Sequence, residues 1–495
     1  MDAVAELRLL LLSRHQLIVA RAEDESRFMR YLREAAATTG QPIWTWSATL
    51  GLSRDGLEPQ PNTRTAAGAI AFIAEVSQPG VFVLHDVASA LTDTTTTRAI
   101  KERALAGREG QTIVLTGASI SVPDELHGLA LLWRLEPPSH EELESLISGT
   151  LDDLRARQLV VVDLAPDRIR ELEEGLRGLS LLEAQRLIVR SALEDGRLDA
   201  GDLPRVREAK AELLAEDGVL TVVPTEHGGL DNVGGLDLLK AWLSVRGRGF
   251  APDAKRFGLD TPRGVLLIGV PGCGKSLVAK TLARSWGMPL VGFDPGAIYG
   301  AYVGESESRL RRALEALESM APVVVWIDEI ERGFAASASA RDGGVAQRVL
   351  GTFLHWLQER EGDVFLVATC NDVEGLPPEL LRRGRFDETF FVDLPGTAER
   401  RAILELHLRR RHREPEDFDL EGLAEAAGGF SGAELEGVVI GALYRAFAAG
   451  RELDDGFLRE EVRNTVPLAH TRAEEIESLR AWSRGRAVPA SSASD

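Results

Sequence analysis

The 495-residue sequence carries only two cysteines, Cys273 and Cys370, far apart in the chain. That scarcity excludes a disulfide framework and a cysteine-based metal knuckle, and it points to a reducing, cytoplasmic compartment. Nine histidines occur without an H-E-x-x-H pair, which excludes a zinc protease of that type. No apolar run approaches the roughly 18 residues needed to cross a bilayer, so no membrane insertion is expected. The stretch LRLLLLS near the start is short, amphipathic and followed by Arg14 and His15. Lacking a small-residue cleavage pattern, it reads as a first helix and not as a signal peptide. Basic residues are outnumbered by acidic ones, 57 against 77, for a formal net charge of −20. Such a field repels phosphate backbones and anionic membranes, so nucleic acid is a disfavoured partner. The clusters RLRR at 309–312 and LRRRHR at 408–413 are flanked by acids and read as solvated helix faces.

With 44% hydrophobic and 27% charged residues the chain is globular. Its length exceeds what one core organises, and about two to four domains are expected. The first part alternates strand-like runs at 17–20, 43–48, 81–85, 112–116 and 131–135 with helical runs at 25–38 and 65–76, around a turn-rich stretch at 51–63. That alternation predicts a mostly parallel three-layer α/β domain over 1–138. The pattern then turns purely helical to about 197, and with a charged helical connector at 203–217 it makes a helical subdomain over 139–217. The second part repeats the order, with an α/β nucleotide-binding subdomain over 218–397 and a helical lid and tail over 398–495, ending in a disordered SSASD. GLSLLEAQRLI at 178–188 resembles GFSGAELEGVV at 429–439, and the strand ending in His85-Asp86 resembles the one ending in Asp328-Glu329. The first part therefore reads either as a degenerate copy of the second or as an unrelated α/β domain. Its first strand leads into ARAEDES at 20–26, which lacks the glycines, lysine and hydroxyl of a phosphate cradle. Such a copy should not hydrolyse nucleotide.

What is present is concentrated between 231 and 440. GVPGCGKS at 269–276 fits G-x-x-x-x-G-K-[ST] at every fixed position, between a strand at 265–268 and a helical run from Leu277. In that setting backbone N–H groups and the positive end of a helix converge on one anion. Gly269, Val270, Pro271, Gly272, Cys273, Gly274, Lys275, Ser276 and Leu277 are the candidate cradle, with Lys275 for the β/γ-phosphates and Ser276 for Mg²⁺. An apolar strand at 323–327 delivers Asp328 and Glu329 about fifty residues on. Phosphoryl transfer to water needs a metal-holding acid, Asp328, and a second acid, Glu329, that polarises the water. A further strand at 364–368 ends in Thr369-Cys370-Asn371, where the Asn371 amide can bond the water or the γ-phosphate. In LRRGRFDE at 381–388, Arg382 and Arg385 flank a glycine turn. They either complete a neighbouring subunit's site in trans or form a surface cluster with Asp387 and Glu388. ATP and Mg²⁺ are the expected cofactors.

On these motifs the region from Leu230 to about Ala448 resembles an AAA+ ATPase module of the meiotic clade. LDNVGGLDLLKAWL at 230–243 is similar to that family's leading segment, in which Gly234 borders the adenine pocket. GGFSGAELE at 428–436 is similar to the start of its lid, with Gly432 and Ala433 at a second sensor position commonly small in the family. Two departures, Arg383 where many relatives carry Pro or a bulky residue and Asn232 for a frequent aspartate, remove no essential charge. RGRFDETFFVDLP at 383–395, FLHWLQER at 353–360, IWTWSATLGL at 43–52 and the stretch 465–491 are similar to a narrower group. Its members are AAA proteins encoded by a conserved hypothetical reading frame of algal plastids, also found in cyanobacteria and other bacteria. The resemblance implies a P-loop three-layer αβα sheet with a helical lid, and a homo-oligomeric ring, a hexamer. It also implies a pore loop of Tyr302, Val303 and Gly304, with 335–344 as a second pore segment or a plain connection. The function implied is a Mg-ATP-hydrolysing motor that remodels or unfolds an unidentified protein partner. A regulatory nucleotide switch without threading is the alternative, and nucleic-acid remodelling ranks third.

Overall fold

Aliphatic, mostly β-branched runs fix two separate sheets. In the computed structural model, which describes residues 2–54, 57–108, 110–118, 120, 122–157, 160–215, 218–225, 228–299, 305–334, 344–360 and 362–492, the chain forms two units. The first unit comprises 1–143 with 179–184, and the second 144–178 with 185–495.

The first sheet contains β1 (Leu17–Arg21), β2 (Ile43–Ser47), β3 (Gly51–Arg54), β4 (Gly80–Leu84), β5 (Gln111–Gly117) and β6 (Ala130–Arg134) in the order β3-β2-β4-β5-β1-β6. All neighbours are parallel except β3, which the turn-rich reading of 51–63 missed and which pairs antiparallel with β2 at the edge. The stretch 139–197, expected as purely helical, also holds a short parallel pair, β7 (Val161–Val162) with β8 (Arg197–Leu198).

The second sheet runs β15-β14-β10-β13-β12-β11-β9. Its members are β9 (Leu220–Val223), β10 (Gly264–Gly269), β11 (Leu290–Phe293), β12 (Val323–Ile327), β13 (Val364–Cys370), β14 (Glu388–Val392) and β15 (Val488–Pro489). Alternate residues face opposite sides. Leu266, Val325 and Leu366 pack with Phe334 and Phe353 on one face, while Val265, Leu267, Val324 and Val367 pack with Val278 and Leu282 on the other. A sheet covered on both faces explains why these strands read as unbroken apolar runs. Trp46, Trp133 and Trp356 are buried, in keeping with packing roles.

Counting the parallel strands of each sheet in chain order, the first five of each have the arrangement 5-1-4-3-2, to which the second sheet adds β15 as a sixth beside β14, and both add an antiparallel strand beside the second, β3 or β9. The likeness extends to detail. The residue after the third strand's final polar position is left-handed in both, Asp86 with φ 50° and Glu329 with φ 48°. Helices follow each sheet: His140–Ala156, Pro166–Leu176, Leu181–Asp195 and Leu203–Leu214 after the first, and Thr397–Arg409, Leu420–Ala426, Gly432–Ala448 and Asp455–Asn464 after the second, which then continues with Leu468–Thr471 and Ala473–Ser483. The third helix of each set opens on a Ser/Glu capping box. The Ser180 N–H donates to Glu183 Oε2 at 2.9 Å, and the Ser431 N–H to Glu434 Oε2 at 2.7 Å.

The capping box has a measurable energy. Ser431 is buried, and its hydroxyl accepts the Glu434 N–H at 3.4 Å, so Ser431→Ala should destabilise the lid by about 1 kcal/mol. A denaturant midpoint equal to that of the parent would contradict this.

The C-terminal residues close the second sheet. β15 pairs parallel with β14, and the Ala490 carbonyl accepts the Leu239 N–H at 3.0 Å. The expectation of disorder at 491–495 is corrected at its start: Ser491 Oγ donates to Glu399 at 2.6 Å and the Ser492 N–H to Asp237 at 2.7 Å. Residues 493–495 lie outside the described residues.

Candidate nucleotide site

Strand β10 ends at Gly269 and the helix Lys275–Trp286 begins six residues later. The turn needs left-handed backbone at Gly272 (φ 76°) and Gly274 (φ 88°), which only glycine adopts without strain. A Cβ on Gly272 would also lie 3.2 Å from the Ala433 methyl, and the Gly272 carbonyl accepts the Ala433 N–H at 2.9 Å. The cradle and the lid's third helix thus meet at backbone distance. Lys275 is buried, and its ammonium donates to the carbonyls of Gly269 (2.6 Å) and Val270 (2.8 Å). Burial holds it down to about 8.

The strand β12 presents Asp328 beside this helix end. Asp328 Oδ1 accepts from Ser276 Oγ at 2.9 Å and from Thr369 Oγ1 at 2.7 Å, and the Thr369 hydroxyl in turn accepts the Glu329 N–H at 2.9 Å. Asn371 Nδ2 donates to Glu329 Oε1 at 2.8 Å, while Arg332 pairs with Glu329 Oε2 at 2.6 Å. Asn371 Oδ1 is buried and has no hydrogen-bond partner among the described residues, so it offers an acceptor to a bound water.

These groups line a cavity of about 610 Å³. Its wall includes the candidate residues Pro271 to Leu277, Gly234, Gly432, Ala433, Asp328, Glu329 and Asn371. Gly269 and Val270 stand below it, their carbonyls occupied by Lys275. The far end, built from Val233, Leu236, Ile403 and His407, was not legible from motifs. A Cβ on Gly234 would meet the Ile403 side chain at 2.4 Å, so the glycine lets the leading segment press on the lid. Burial lowers the His407 pKa, which favours a neutral ring on an apolar wall.

Arg382 and Arg385 do not line the cavity. Arg382 is exposed, and Arg385 donates to the Glu379 carbonyl. Tyr302, Val303 and Gly304, with 335–343 of the second pore segment, lie outside the described residues.

The corresponding place in the first unit is built differently. Only Ala22 to Asp24 separate β1 from the next helix, and the Asp24 carboxylate accepts the Arg27 N–H at 2.9 Å. An acid therefore caps the helix end where a phosphate would sit. His85 stands where the second unit has Asp328, 3.2 Å from Thr116. Burial lowers its pKa.

The donor set suits Mg²⁺. Among the described residues no group of three or more His, Cys, Asp or Glu could hold a metal alone. One hydroxyl and one carboxylate 2.9 Å apart match an ion that is bound mainly through phosphate oxygens and waters. Sheet order, phosphate loop, paired acids and lid together define a P-loop nucleotide-binding module.

The model of the ATPase family associated with various cellular activities (AAA) matches residues 265–394. The SpoVK-like AAA ATPase N-terminal domain matches 3–135 and its second domain 141–217. An uncharacterised AAA domain-containing protein, ycf46, of Pyropia yezoensis is 33% identical over 99% of this chain and 100% of its own length. Its counterpart in Trieres chinensis is 33% identical over 98% of each chain. The Cell division cycle protein 48 homolog of Archaeoglobus fulgidus is 39% identical over 37% of this chain and 25% of its own length. The chain belongs to the AAA ATPase family, a family of ATP-driven proteins. Among the described residues no helix is long and apolar enough to cross a membrane.

Proposed function

We propose that the chain hydrolyses ATP in this cavity, with Glu329 as general base, and uses the energy in a homo-oligomeric ring, a hexamer, to remodel or unfold a protein partner. The observation that carries this reading is the chain Ser276–Asp328–Thr369–Glu329–Asn371, which links the metal end of the cradle to the base through hydrogen bonds of 2.7–2.9 Å. Ser276 and Asp328 would hold Mg²⁺, which neutralises charge on the phosphates. Lys275 takes the β/γ-phosphates by leaving its two carbonyls. Asn371 Oδ1 and the Glu329 carboxylate orient and deprotonate the water. Arg382, which is exposed, and Arg385, on leaving the Glu379 carbonyl, complete the charge balance in a neighbouring subunit. The first unit selects or docks the partner. Both cysteines are free, in keeping with a cytoplasmic setting.

A steady-state ATPase assay tests the reading. Mixing Arg382→Ala subunits with Lys275→Ala subunits should restore part of the lost activity, because each supplies what the other lacks. Mixed rings with no activity at any ratio would remove trans action.

A pH dependence follows from the buried lysine. With its pKa lowered to about 8, Lys275 is protonated below that pH and neutral above it in the ligand-free chain. Anion binding favours the protonated form, so binding above pH 8 takes up a proton. Mg-ADP affinity should therefore weaken by roughly tenfold per pH unit above about 8. A dissociation constant flat from pH 7 to 9.5 would contradict this.

A regulatory switch with slow turnover is the second reading, favoured by the engagement of both Glu329 oxygens, one with Asn371 and one with Arg332. Tyr302→Ala separates the two. A motor keeps much of its ATPase and loses remodelling, whereas a switch loses neither.

A further inference from the structure

Glu331 has no part in the steps above, yet of the three acids on this turn it alone is buried, at 5% exposure. Its Oε1 accepts the Asn371 N–H at 2.9 Å and the Asp372 N–H at 3.3 Å. Glu329, with its left-handed backbone, starts the turn into the helix Ile330–Phe334, so the two glutamates leave it in different directions. Glu329 lines the cavity, and Glu331 goes inward beneath the end of β13. The Cys370 thiol lies beside Glu331. Burial, and then the Glu331 charge, push that thiol well above its ordinary value, so it stays neutral.

Burying a carboxylate is costly unless its hydrogen bonds fix something. The segment fixed here is the peptide that carries Asn371, whose side-chain amide in turn holds Glu329 Oε1 at 2.8 Å. We propose that Glu331 is a positioning residue for hydrolysis: by clamping the Asn371 backbone it sets the Asn371 amide, and through it the attitude of the Glu329 carboxylate. The inference rests on the roles given above to Glu329 and Asn371. Glu331 does not line the cavity, so its removal should act on turnover and leave binding alone.

The test is steady-state kinetics with Mg-ADP titration on the full chain. Glu331→Ala should lower kcat about ten- to hundredfold, the range expected when a reacting group is misplaced by an ångström. KM and ADP affinity should stay within about twofold of the parent. Glu331→Gln, which keeps an acceptor oxygen in place, should restore most of the rate. If Glu331→Ala does not fold, Glu331→Asp serves, because its carboxylate is withdrawn by one methylene from both N–H groups. The double variant Glu331→Ala/Asn371→Ala should be no slower than Asn371→Ala, since the two act along one path. Additive losses, or an unchanged kcat in Glu331→Ala beside an impaired Asn371→Ala, would overturn the inference alone. A full rate in Asn371→Ala would remove both the inference and the catalytic role of Asn371.

Discussion

Glu329→Gln is expected to keep ATP bound through purification while hydrolysing it about a thousandfold more slowly, within the range that positioned general bases supply. The geometry explains both halves. Glu329 follows the largely buried strand Val323–Ile327, and its N–H is tied to Thr369 at 2.9 Å, so the amide variant occupies the same place. Gln can still accept from Asn371 but cannot take a proton from water. Binding should survive, because the cradle and lid contacts are separate from this side chain. The readout is nucleotide content after gel filtration, with single-turnover hydrolysis alongside. Turnover near the parental rate would take the base role away from Glu329 while leaving the cradle untouched.

Lys275→Ala is expected to lower Mg-ATP affinity at least about a hundredfold. Two charge-assisted hydrogen bonds to phosphate are lost, at about 1.5–3 kcal/mol each. The ligand-free chain changes less. Its ammonium is bound to the Gly269 and Val270 carbonyls, and its pKa is pulled down by burial, so the ammonium is already costly to keep charged there. Alanine removes that cost and leaves the two carbonyls to water. The melting temperature without nucleotide should therefore move by only a few degrees, whereas the stabilisation given by added Mg-ADP should disappear. An undiminished ADP-induced shift would contradict the cradle assignment.

The residues that could be read from sequence are those whose chemistry depends on contiguous backbone. The phosphate turn and the Asp328-Glu329 strand end are short segments whose form follows from glycine and strand rules, whereas the Gly432-Ala433 lid start was legible only through the family resemblance. Thr369 stands two residues before Asn371 and Glu331 two residues after Glu329, but only folding gives them roles. Thr369 bridges Asp328 to the Glu329 amide, and Glu331 reaches across forty residues to Asn371. Ile403 and His407 lie on a lid helix whose pattern is that of any amphipathic helix, so nothing local marks them as a cavity wall. Three of the four edge strands were missed for a related reason, while β6 was read at 131–135. β3, β9 and β15 are short, and β15 contains a proline, which is tolerated only because that strand is at an edge. The repeated architecture was legible only faintly, through two glycine-serine turns and two strand ends. The strand order shared by the first five parallel strands is a property of pairing between segments far apart in the chain, which no local motif carries.

The two units share the order of their first five parallel strands but differ at the one place that matters for chemistry. The second has a glycine turn with Lys275, and the first has a three-residue connection capped by Asp24. The most direct measurement is a calorimetric titration of the full chain with Mg-ADP at neutral pH. One nucleotide per chain is expected, and none in Lys275→Ala. Two nucleotides per chain, or a site that persists in Lys275→Ala, would place the binding chemistry somewhere other than the turn at 269–277 and set aside the account built on it.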